Sequence, residues 1–289
     1  MIAVCGASGN LGGRTLKHLV ERVDASRVVA LSRTPDRVPA VGVETRVADF
    51  SDPDGLVRAF DGVERLLIIS LDAITGRVPK HANAIDAAAK AGVGHVVYTS
   101  VARAGEPGNP VRVVPDHRDT ERLLASSGPA FTALRFNVWP EMLTYLGVAQ
   151  RAVAGGRLPS NAGDGRVGYL TRDDSAAVAA AALADGGCEG QFLEVTGPEA
   201  VRDTDIAEAL TEASGRRVRL MPATDEEMPM RLTELGMPAP LAEAWTEAGV
   251  TRREGWFDVL THAAERLTGH RPTSIAEFFA AERATLLTA

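Results

Sequence analysis

A glycine-rich turn between a short apolar strand and a helix constrains this chain more than any other feature. The strand covers residues 2–5 (IAVC), and the glycines follow as G-x-x-G-x-x-G. The first glycine permits a tight exit from the strand, the second lets a pyrophosphate approach the backbone, and the third lets the helix pack closely on the sheet. The helix N-terminus favours phosphate through its free N–H groups. This pattern predicts a dinucleotide site formed by Gly6, Ser8, Gly9, Asn10, Leu11 and Gly12.

Short apolar runs alternate with helical patterns through the first half of the chain. Further strands are predicted at 28–31, 43–48, 66–69, 94–99 and 131–134, with helices at 54–60, 80–91 and 116–126. The run at 66–69 is continuously apolar, as in a strand buried on both faces. This β-α alternation predicts an α/β fold, a doubly wound parallel sheet of the Rossmann type. Ligands of such sheets bind at the carboxyl ends of the strands.

The pattern becomes mostly helical after Trp139. Residues 158–168 are rich in turn formers, and residues 191–195 are predicted to return to the main sheet as a strand. We therefore predict an NAD(P)-binding domain over residues 1–150, with strand 191–196 added, and a smaller, discontinuous substrate-binding lobe over residues 151–289. The predicted helices are 141–154, 172–184, 205–214, 226–235, 241–247, 256–267 and 275–284.

Charge and cysteine content exclude several classes of protein. The 289 residues carry a formal net charge of −7 with scattered basic residues, so we expect neither a nucleic-acid nor a membrane partner. Two cysteines are too few for a disulfide framework, and no basic region precedes the first apolar run, which together predict a cytoplasmic protein. The histidines are widely spaced, so no metal site is expected.

The end of the second strand predicts NADPH rather than NADH. An NAD site usually carries an acidic residue there, bonded to the ribose 2′-hydroxyl. This chain has Arg33, whose guanidinium can pair with a 2′-phosphate, and Arg37 can add a second cation. Asp36 lies between them and is expected to pair with an arginine. The alternative is that both arginines are solvated surface residues.

Polar and apolar side chains follow the next three strands at the same edge of the sheet. We expect them to lie near the adenine, the pyrophosphate and the nicotinamide of the cofactor. Each has an equally simple interpretation as a helix cap or a loop residue. The predicted cofactor contacts at these strand ends are Asp49, Phe50, Ile69, Ser70, Leu71, Thr99 and Ser100.

Seven short segments beyond the glycine turn carry a family resemblance. They are 32–35 (SRTP), 47–50 (VADF), 66–70 (LLIIS), 96–100 (VVYTS), 116–121 (DHRDTE), 131–135 (FTALR) and 267–273 (LTGHRPT). In this order they resemble the atypical short-chain dehydrogenase/reductases of the NmrA-like family, and among these the NAD(P)H:quinone oxidoreductase type 2 subgroup. The resemblance extends over essentially the whole chain.

The resemblance implies an unusual catalytic position. Ordinary reductases of the superfamily use Y-x-x-x-K, whose tyrosine protonates a carbonyl oxygen, and often place a glutamate four residues after the lysine. The spacing to Glu121 puts His117 at the lysine position and Val113, which cannot titrate, at the tyrosine position. An acceptor that needs no positioned acid is therefore favoured. We expect His117 to be either a catalytic proton donor or a structural histidine.

The segment after the sixth strand is expected to contact substrate. In the family it typically has the pattern L-R-N-G-W-Y or L-R-P-G and lines the nicotinamide and substrate pocket, whereas residues 134–141 here are LRFNVWPE. Its aromatic residues can form a wall for a planar acceptor or core between the lobes, and we expect Met142 and Tyr145 in the core. The predicted substrate residues are Phe136, Asn137, Val138 and Trp139.

Together these features predict an NADPH-dependent oxidoreductase that passes hydride directly to a quinone or another activated small molecule. Neither a flavin nor a metal is expected, and a homodimer is compatible with the sequence. Two alternatives stay open. One is an NmrA-like NADP(H)-binding redox sensor with little or no turnover, and the other is a tailoring reductase of secondary metabolism.

Overall fold

The computed structural model describes residues 1–72 and 76–288. The strands in these ranges are β1 (Ile2–Cys5), β2 (Val28–Ser32), β3 (Glu44–Val47), β4 (Arg65–Ile68), β5 (His95–Val101), β6 (Ala130–Phe136), β7 (Arg157–Ser160), β8 (Gln191–Val195) and β9 (Arg219–Pro222). The α-helices are α1 (Asn10–Val20), α2 (Pro53–Ala59), α3 (Arg77–Lys90), α4 (Val114–Ala125), α5 (Glu141–Tyr145), α6 (Val148–Gly155), α7 (Arg172–Ala184), α8 (Asp203–Ser214), α9 (Met228–Glu234), α10 (Ala239–Arg253), α11 (Ala263–Thr268), α12 (Ile275–Ala281) and α13 (Arg283–Leu286). None of these helices combines the length and the apolar composition needed to cross a membrane.

Seven of these strands form one parallel sheet in the order β3-β2-β1-β4-β5-β6-β8. Helices α1, α7 and α11 cover one face, and α2, α3 and α4 cover the other. The side chains of β1 and β2 are therefore all buried. The doubly wound sheet predicted from the sequence is confirmed, including the return of β8. The strand order reverses between β1 and β4, which places the ligand crevice at their carboxyl ends.

The chain divides into two compact units. The first comprises residues 1–136, 172–195 and 263–270, and the second comprises residues 137–171, 196–262 and the chain from 271 onward. The division expected at residue 150 differs from this one for two reasons. Helix α7 packs on α1, and α11 in turn packs on α7. These contacts make α7 and α11 part of the first unit. The segment that contains α5 and α6 contributes Leu143 and Val148 to the core of the second unit.

The second unit has an apolar core of its own. Leu210, Met228, Ala242 and Phe279 are fully enclosed there, on helices α8, α9, α10 and α12. Strands β7 and β9 add a two-stranded parallel sheet that the sequence pattern did not predict. Each strand has four residues and contains a proline, and proline is uncommon within strands because it cannot donate to the ladder.

The helix expected over residues 141–154 is interrupted. Gly147 has a φ of +70°, in the left-handed region, and separates α5 from α6. Helix α5 has only five residues, and of these only Leu143 is buried. The expectation that Tyr145 lies in the core is wrong, because its side chain is 78% exposed. Met142, also expected in the core, is half-buried.

The helix expected over residues 256–267 is wrong over its first half, because α11 begins only at residue 263. Helix α10 ends at Arg253, and Gly255 follows with a φ of +80°. The Phe257 carbonyl oxygen then accepts hydrogen bonds from Asn137 Nδ2 at 3.0 Å and from the Gly168 backbone N–H at 3.4 Å. This backbone therefore bonds to other segments of the second unit instead of forming a helical turn.

Arg65 of β4 caps the end of α7. Its Nη1 donates to the carbonyl oxygens of Leu183 and Ala184, each at 2.7 Å, and the last carbonyls of a helix lack partners within it. We expect Arg65→Ala to lower the free energy of unfolding by about 2 kcal/mol, because a charged donor is lost. Urea unfolding measures the change. The exposed Arg27 is the control, and Arg27→Ala should change the free energy by less than about 0.5 kcal/mol. Equal losses in the two variants would contradict the capping role.

Candidate functional site

The glycine turn connects β1 to α1 at the carboxyl edge of the sheet. Gly6 has a φ of +74°, a conformation that side chains disfavour, and its carbonyl oxygen accepts a hydrogen bond from Gly9 N at 2.9 Å. A Cβ at position 12 would overlap the carbonyl of Gly6. Only glycine at position 12 therefore lets α1 start directly against the end of β1.

The first turn of α1 offers its amide groups to an anion. Gly9 precedes the helix without a side-chain cap, and the first turn contains no acidic residue. Gly9 and Asn10 are exposed, whereas the side chain of Leu11 is buried, so Leu11 can present only its backbone. Asn10 Oδ1 accepts a hydrogen bond from Arg14 Nε at 3.0 Å, and Arg14 pairs with Asp173 of α7. An open helix N-terminus lined by glycine fits a diphosphate.

Hydroxyl groups join the glycine turn to the end of β2. Ser32 Oγ donates to Ser8 Oγ at 2.8 Å, and Thr34 Oγ1 donates to the same oxygen at 3.2 Å. The backbone N–H of Thr34 donates to Ser32 Oγ at 2.9 Å. Hydroxyls are both donors and acceptors, so this cluster can turn its hydrogens toward an anion. Ser32 and Thr34 were not among the predicted contacts, although they flank Arg33 in the sequence.

The two arginines after β2 are exposed. Neither Arg33 nor Arg37 forms an ion pair with any residue that the structure describes. Asp36 is also exposed, and its expected pairing with an arginine is not found among the same residues. Within the described part of the chain, Arg33 directly after β2 and Arg37 one turn further thus have no carboxylate partner, and Arg33 is flanked by Ser32 and Thr34 of the hydroxyl cluster.

The residues after β3 begin a turn toward α2. Asp49 Oδ1 accepts a hydrogen bond from the Ser51 backbone N–H at 2.8 Å. Phe50 is buried, and its carbonyl oxygen accepts a hydrogen bond from Asn83 Nδ2 of α3 at 2.9 Å. Both residues lie at the predicted edge of the sheet, and both also shape the local backbone.

The ends of β4 and β5 lie beside the glycine turn. A Cβ built on Gly6 would lie 3.6 Å from the Cβ of Ile69, in ordinary contact. The Ser70 backbone N–H donates to Thr99 Oγ1 at 2.9 Å, so the Thr99 hydroxyl connects the two strand ends. The structure thus places Gly6, Ile69, Ser70 and Thr99 close together, as the strand order predicts.

A partly buried ion-pair network joins β5, α4, β6 and β8. Arg135 of β6 binds Glu121 of α4 through Nε–Oε1 at 2.9 Å and Nη2–Oε2 at 2.7 Å. Its Nη1 also reaches Glu194 Oε1 of β8 at 3.2 Å. Ser100 Oγ donates to Glu121 Oε1 at 2.7 Å. The predicted cofactor contact Ser100 therefore uses its hydroxyl within this network.

His117 of α4 lies in the interior of the first unit and is 7% exposed. Its Nδ1 lies 2.9 Å from the hydroxyl oxygen of Tyr98, and its Nε2 lies 3.2 Å from Arg77 Nη1. A guanidinium can only donate, so Nε2 accepts from Arg77 and the ring carries its hydrogen on Nδ1. Burial, followed by the charge of Arg77, lowers the pKa of His117 to about 3. The imidazole is therefore neutral at pH 7.

His81 of α3 lies in the same interior region and is fully buried. Its Nε2 accepts a hydrogen bond from the Leu71 backbone N–H at 3.2 Å, which places the hydrogen of the neutral ring on Nδ1. Nδ1 donates to Thr120 Oγ1 at 3.0 Å, and that hydroxyl donates to the Asp116 carbonyl oxygen at 2.8 Å. Burial and the charge of Arg77 lower the pKa of His81 to about 4. Sequence reasoning missed His81, because its partner Leu71 belongs to a different element.

The predicted substrate residues are held by local contacts. Phe136 is buried at the end of β6. Asn137 is also buried, and its side chain accepts from the Val138 backbone N–H at 2.8 Å and donates to Phe257 O at 3.0 Å. Val138 and Trp139 are half-buried. Of the four predicted residues, these two therefore keep part of their side chains exposed.

Cysteine thiols and clusters of metal ligands are two further kinds of group that can add chemistry to such an arrangement of side chains. Cys5 and Cys188 are free and buried, and burial raises the pKa of both thiols, so neither is a thiolate at pH 7. In residues 1–72 and 76–288, no group of three His, Cys, Asp or Glu side chains could hold a metal ion. The site is built from backbone amides, hydroxyls and guanidinium groups.

Comparison with known proteins places the chain among nucleotide-dependent reductases. A family model described as NAD(P)H-binding matches residues 6–186. The chain is 35% identical over 280 residues to quinone oxidoreductase 2 of Escherichia coli strain K12, covering 96% of both chains. It is 30% identical over 285 residues to an NAD(P)H azoreductase of Xenophilus azovorans, covering 98% of both. The crystal structure of an NADPH-dependent quinone oxidoreductase of Escherichia coli with NADPH matches with a TM-score of 0.88 and 35% identity, covering 97% of this chain and 99% of that one.

The two neutral imidazoles make stability depend on pH. Each has a folded-state pKa below its usual value of 6.5. Between pH 6.5 and 4 the unfolded chain therefore binds more protons than the folded one, and the free energy of unfolding falls as the pH falls, by at most about 1.4 kcal/mol per pH unit for each imidazole. Below pH 4 the loss from His81 levels off, and that from His117 levels off about one unit lower.

We expect His117→Gln to reduce this dependence, because one of the buried histidines with a lowered pKa is removed. Urea unfolding of both proteins at pH 7.5, 6.5 and 5.5 measures the slope. Contributions of the carboxylates are common to both proteins and cancel in the difference. Equal slopes would contradict a neutral, buried His117.

Proposed function

The chain belongs to the NAD(P)H-binding family, in its NmrA-like branch, and on this basis we propose that it is an NADPH-dependent oxidoreductase that transfers hydride directly to a quinone or another activated small molecule. The observation that carries the proposal is the open glycine turn beside a cluster of hydroxyls, together with two arginines that form no ion pair within residues 1–72 and 76–288. The relatives named as quinone and azo-dye reductases support the choice of acceptor.

Each part of the first unit has a distinct role in holding the dinucleotide. The free backbone N–H groups in the first turn of α1 would bind the diphosphate, and Gly9 would let it approach the backbone closely. Arg33 and Arg37, with the hydroxyls of Ser8 and Ser32, would bind the 2′-phosphate and so favour NADPH. When bound, the reduced dinucleotide supplies the hydride, and the protein supplies orientation and a site shielded from water.

The residues at the usual acid position favour an acceptor that needs no positioned acid. Val113, next to the start of α4, cannot titrate, and we propose a structural role for His117, supported by its burial and its two hydrogen-bonded ring nitrogens. A simple ketone would give an alkoxide, which needs a nearby donor. A quinone gives a delocalised aryloxide that can take its proton from water.

A panel of acceptors tests the proposal. The purified protein, without added flavin or metal, is mixed with NADPH and a quinone, an azo dye, a cationic dye or a simple ketone, and the absorbance of NADPH is followed. We expect oxidation with one or more of the first three acceptors and none above background with the ketone. Tight binding of NADPH without oxidation by any acceptor would overturn the proposal of an enzyme and would favour the alternative, a redox sensor.

The arginine after β2 should decide between the two dinucleotides. We expect Arg33→Ala to weaken NADPH about 10- to 100-fold, because charge-assisted hydrogen bonds to a phosphate are lost, and NADH less than about threefold. Calorimetric titration measures both affinities. Arg27→Ala, also an exposed arginine of the first unit, is the matched control and should change neither. A loss shared equally by NADPH and NADH would remove the assignment of Arg33 to the 2′-phosphate.

Turnover should survive replacement of His117. We expect His117→Gln to keep kcat for a quinone within about fivefold, with an unchanged pH profile of kcat/KM, because a neutral, fully bonded imidazole gives up no proton. The melting temperature should fall, since Arg77 and Tyr98 lose partners. A kcat reduced a hundredfold with intact fold and NADPH affinity would instead identify His117 as the donor.

A further inference from the structure

The backbone that follows β4 is held by side chains rather than by a neighbouring strand. We propose that His81 is a positioning residue for the dinucleotide, because its imidazole fixes the backbone of residues 69–71 beside the glycine turn. This inference rests on one part of the proposed function, namely that the ligand is a pyridine dinucleotide.

The first step is the loss of strand pairing. The register between β4 and β5 ends where Ile68 faces Tyr98. Beyond that point the Ser70 backbone N–H donates to Thr99 Oγ1 at 2.9 Å, and the Leu71 backbone N–H donates to His81 Nε2 at 3.2 Å. Two consecutive amides thus depend on one hydroxyl and one imidazole for their acceptors.

The second step is the contact of this segment with the glycine turn. A Cβ built on Gly6 would lie 3.6 Å from Ile69 Cβ and 3.8 Å from its Cδ1. The side chain of Ile69 therefore borders the turn where the diphosphate is expected. A displacement of residues 69–71 would move this side chain toward or away from that space.

The third step is the rigidity of the imidazole itself. Thr120 of α4 holds Nδ1 at 3.0 Å. The ring also meets Tyr98 of β5 edge-on, with ring centres 5.5 Å apart, and Phe50, with centres 6.3 Å apart. His81 thus contacts both Phe50 after β3 and Leu71 after β4. A single side chain from α3 therefore fixes the position of the backbone after β4 relative to that after β3, and both segments face the candidate ligand.

The chain offers a matched control for the general effect of removing a buried histidine. His95 is the first residue of β5, at the amino end of the sheet, and is 5% exposed. Its Nε2 lies 2.9 Å from Thr132 Oγ1, so it too is buried and bonded to a threonine hydroxyl. His95 Nδ1 lies 3.9 Å from Glu189 Oε1, whereas His81 accepts a backbone N–H from the candidate site.

The experiment compares His81→Leu, His81→Gln and His95→Leu with the natural protein. Calorimetry measures the Kd of NADPH, a thermal melt measures stability, and hydrogen exchange measures protection of the Leu71 amide. We expect His81→Leu to raise the Kd about tenfold and to speed exchange at Leu71, because no acceptor is left for that amide. His81→Gln keeps an acceptor and should stay within about threefold of the natural Kd. His95→Leu should lower the melting temperature while the Kd changes less than about twofold.

An unchanged Kd in His81→Leu, or an equal rise in His95→Leu, would overturn the positioning role. If His81→Leu does not fold, Thr120→Val replaces it, since valine keeps the shape of threonine and removes the acceptor of the His81 Nδ1–H. That variant should raise the Kd about threefold, and no rise would again overturn the inference. Failure of the natural protein to bind NADPH and NADH would instead overturn the proposed function.

Discussion

The contact between Gly12 of α1 and the carbonyl of Gly6 is the constraint on which the rest of the site depends. Any side chain at position 12 would overlap that carbonyl, so helix and strand meet this closely only through glycine. The contact brings the N-terminus of α1 to the carboxyl end of β1, where the strand order of the sheet reverses. Backbone amides and a helix dipole then face one point, and an anion is the ligand that such a point prefers.

A second constraint is that the two imidazoles in the interior next to this turn are neutral. His81 and His117 are buried near the charged Arg77, which disfavours a second positive charge. Their hydrogen bonds hold α3, α4, β5 and the segment after β4 in one arrangement. At pH 7 both imidazoles are therefore neutral, and each has both ring nitrogens within hydrogen-bond distance of a partner.

The carboxylates of the first unit have a different role. Glu121 and Glu194 share the guanidinium of Arg135, and burial raises the pKa of Glu194. Both carboxylate oxygens of Glu194 also accept the Arg103 backbone N–H, Oε2 at 3.1 Å and Oε1 at 3.2 Å. Arg103 follows β5 and has a φ of +54°. Removing one member of this partly buried set leaves the charge of its partner uncompensated. Glu121 therefore has a structural use here that is independent of any lysine or tyrosine at the preceding positions of α4.

Local signals in the sequence were enough for the sheet and the glycine turn, because strand and helix periodicity and glycine spacing are readable within a few residues. They failed where partners come from elsewhere in the chain. Strands β7 and β9 were not predicted because each contains a proline. The Phe257 carbonyl accepts a hydrogen bond from Asn137 instead of continuing a helix. Tyr145 lies on a helix that is too short to bury its side chain. His117 bonds Tyr98 and Arg77, 19 and 40 residues away, and its burial follows from packing of α3 and α4 on β5. Whether that imidazole carries a charge was decided only by folding, since desolvation and a neighbouring guanidinium exist only once these elements have met.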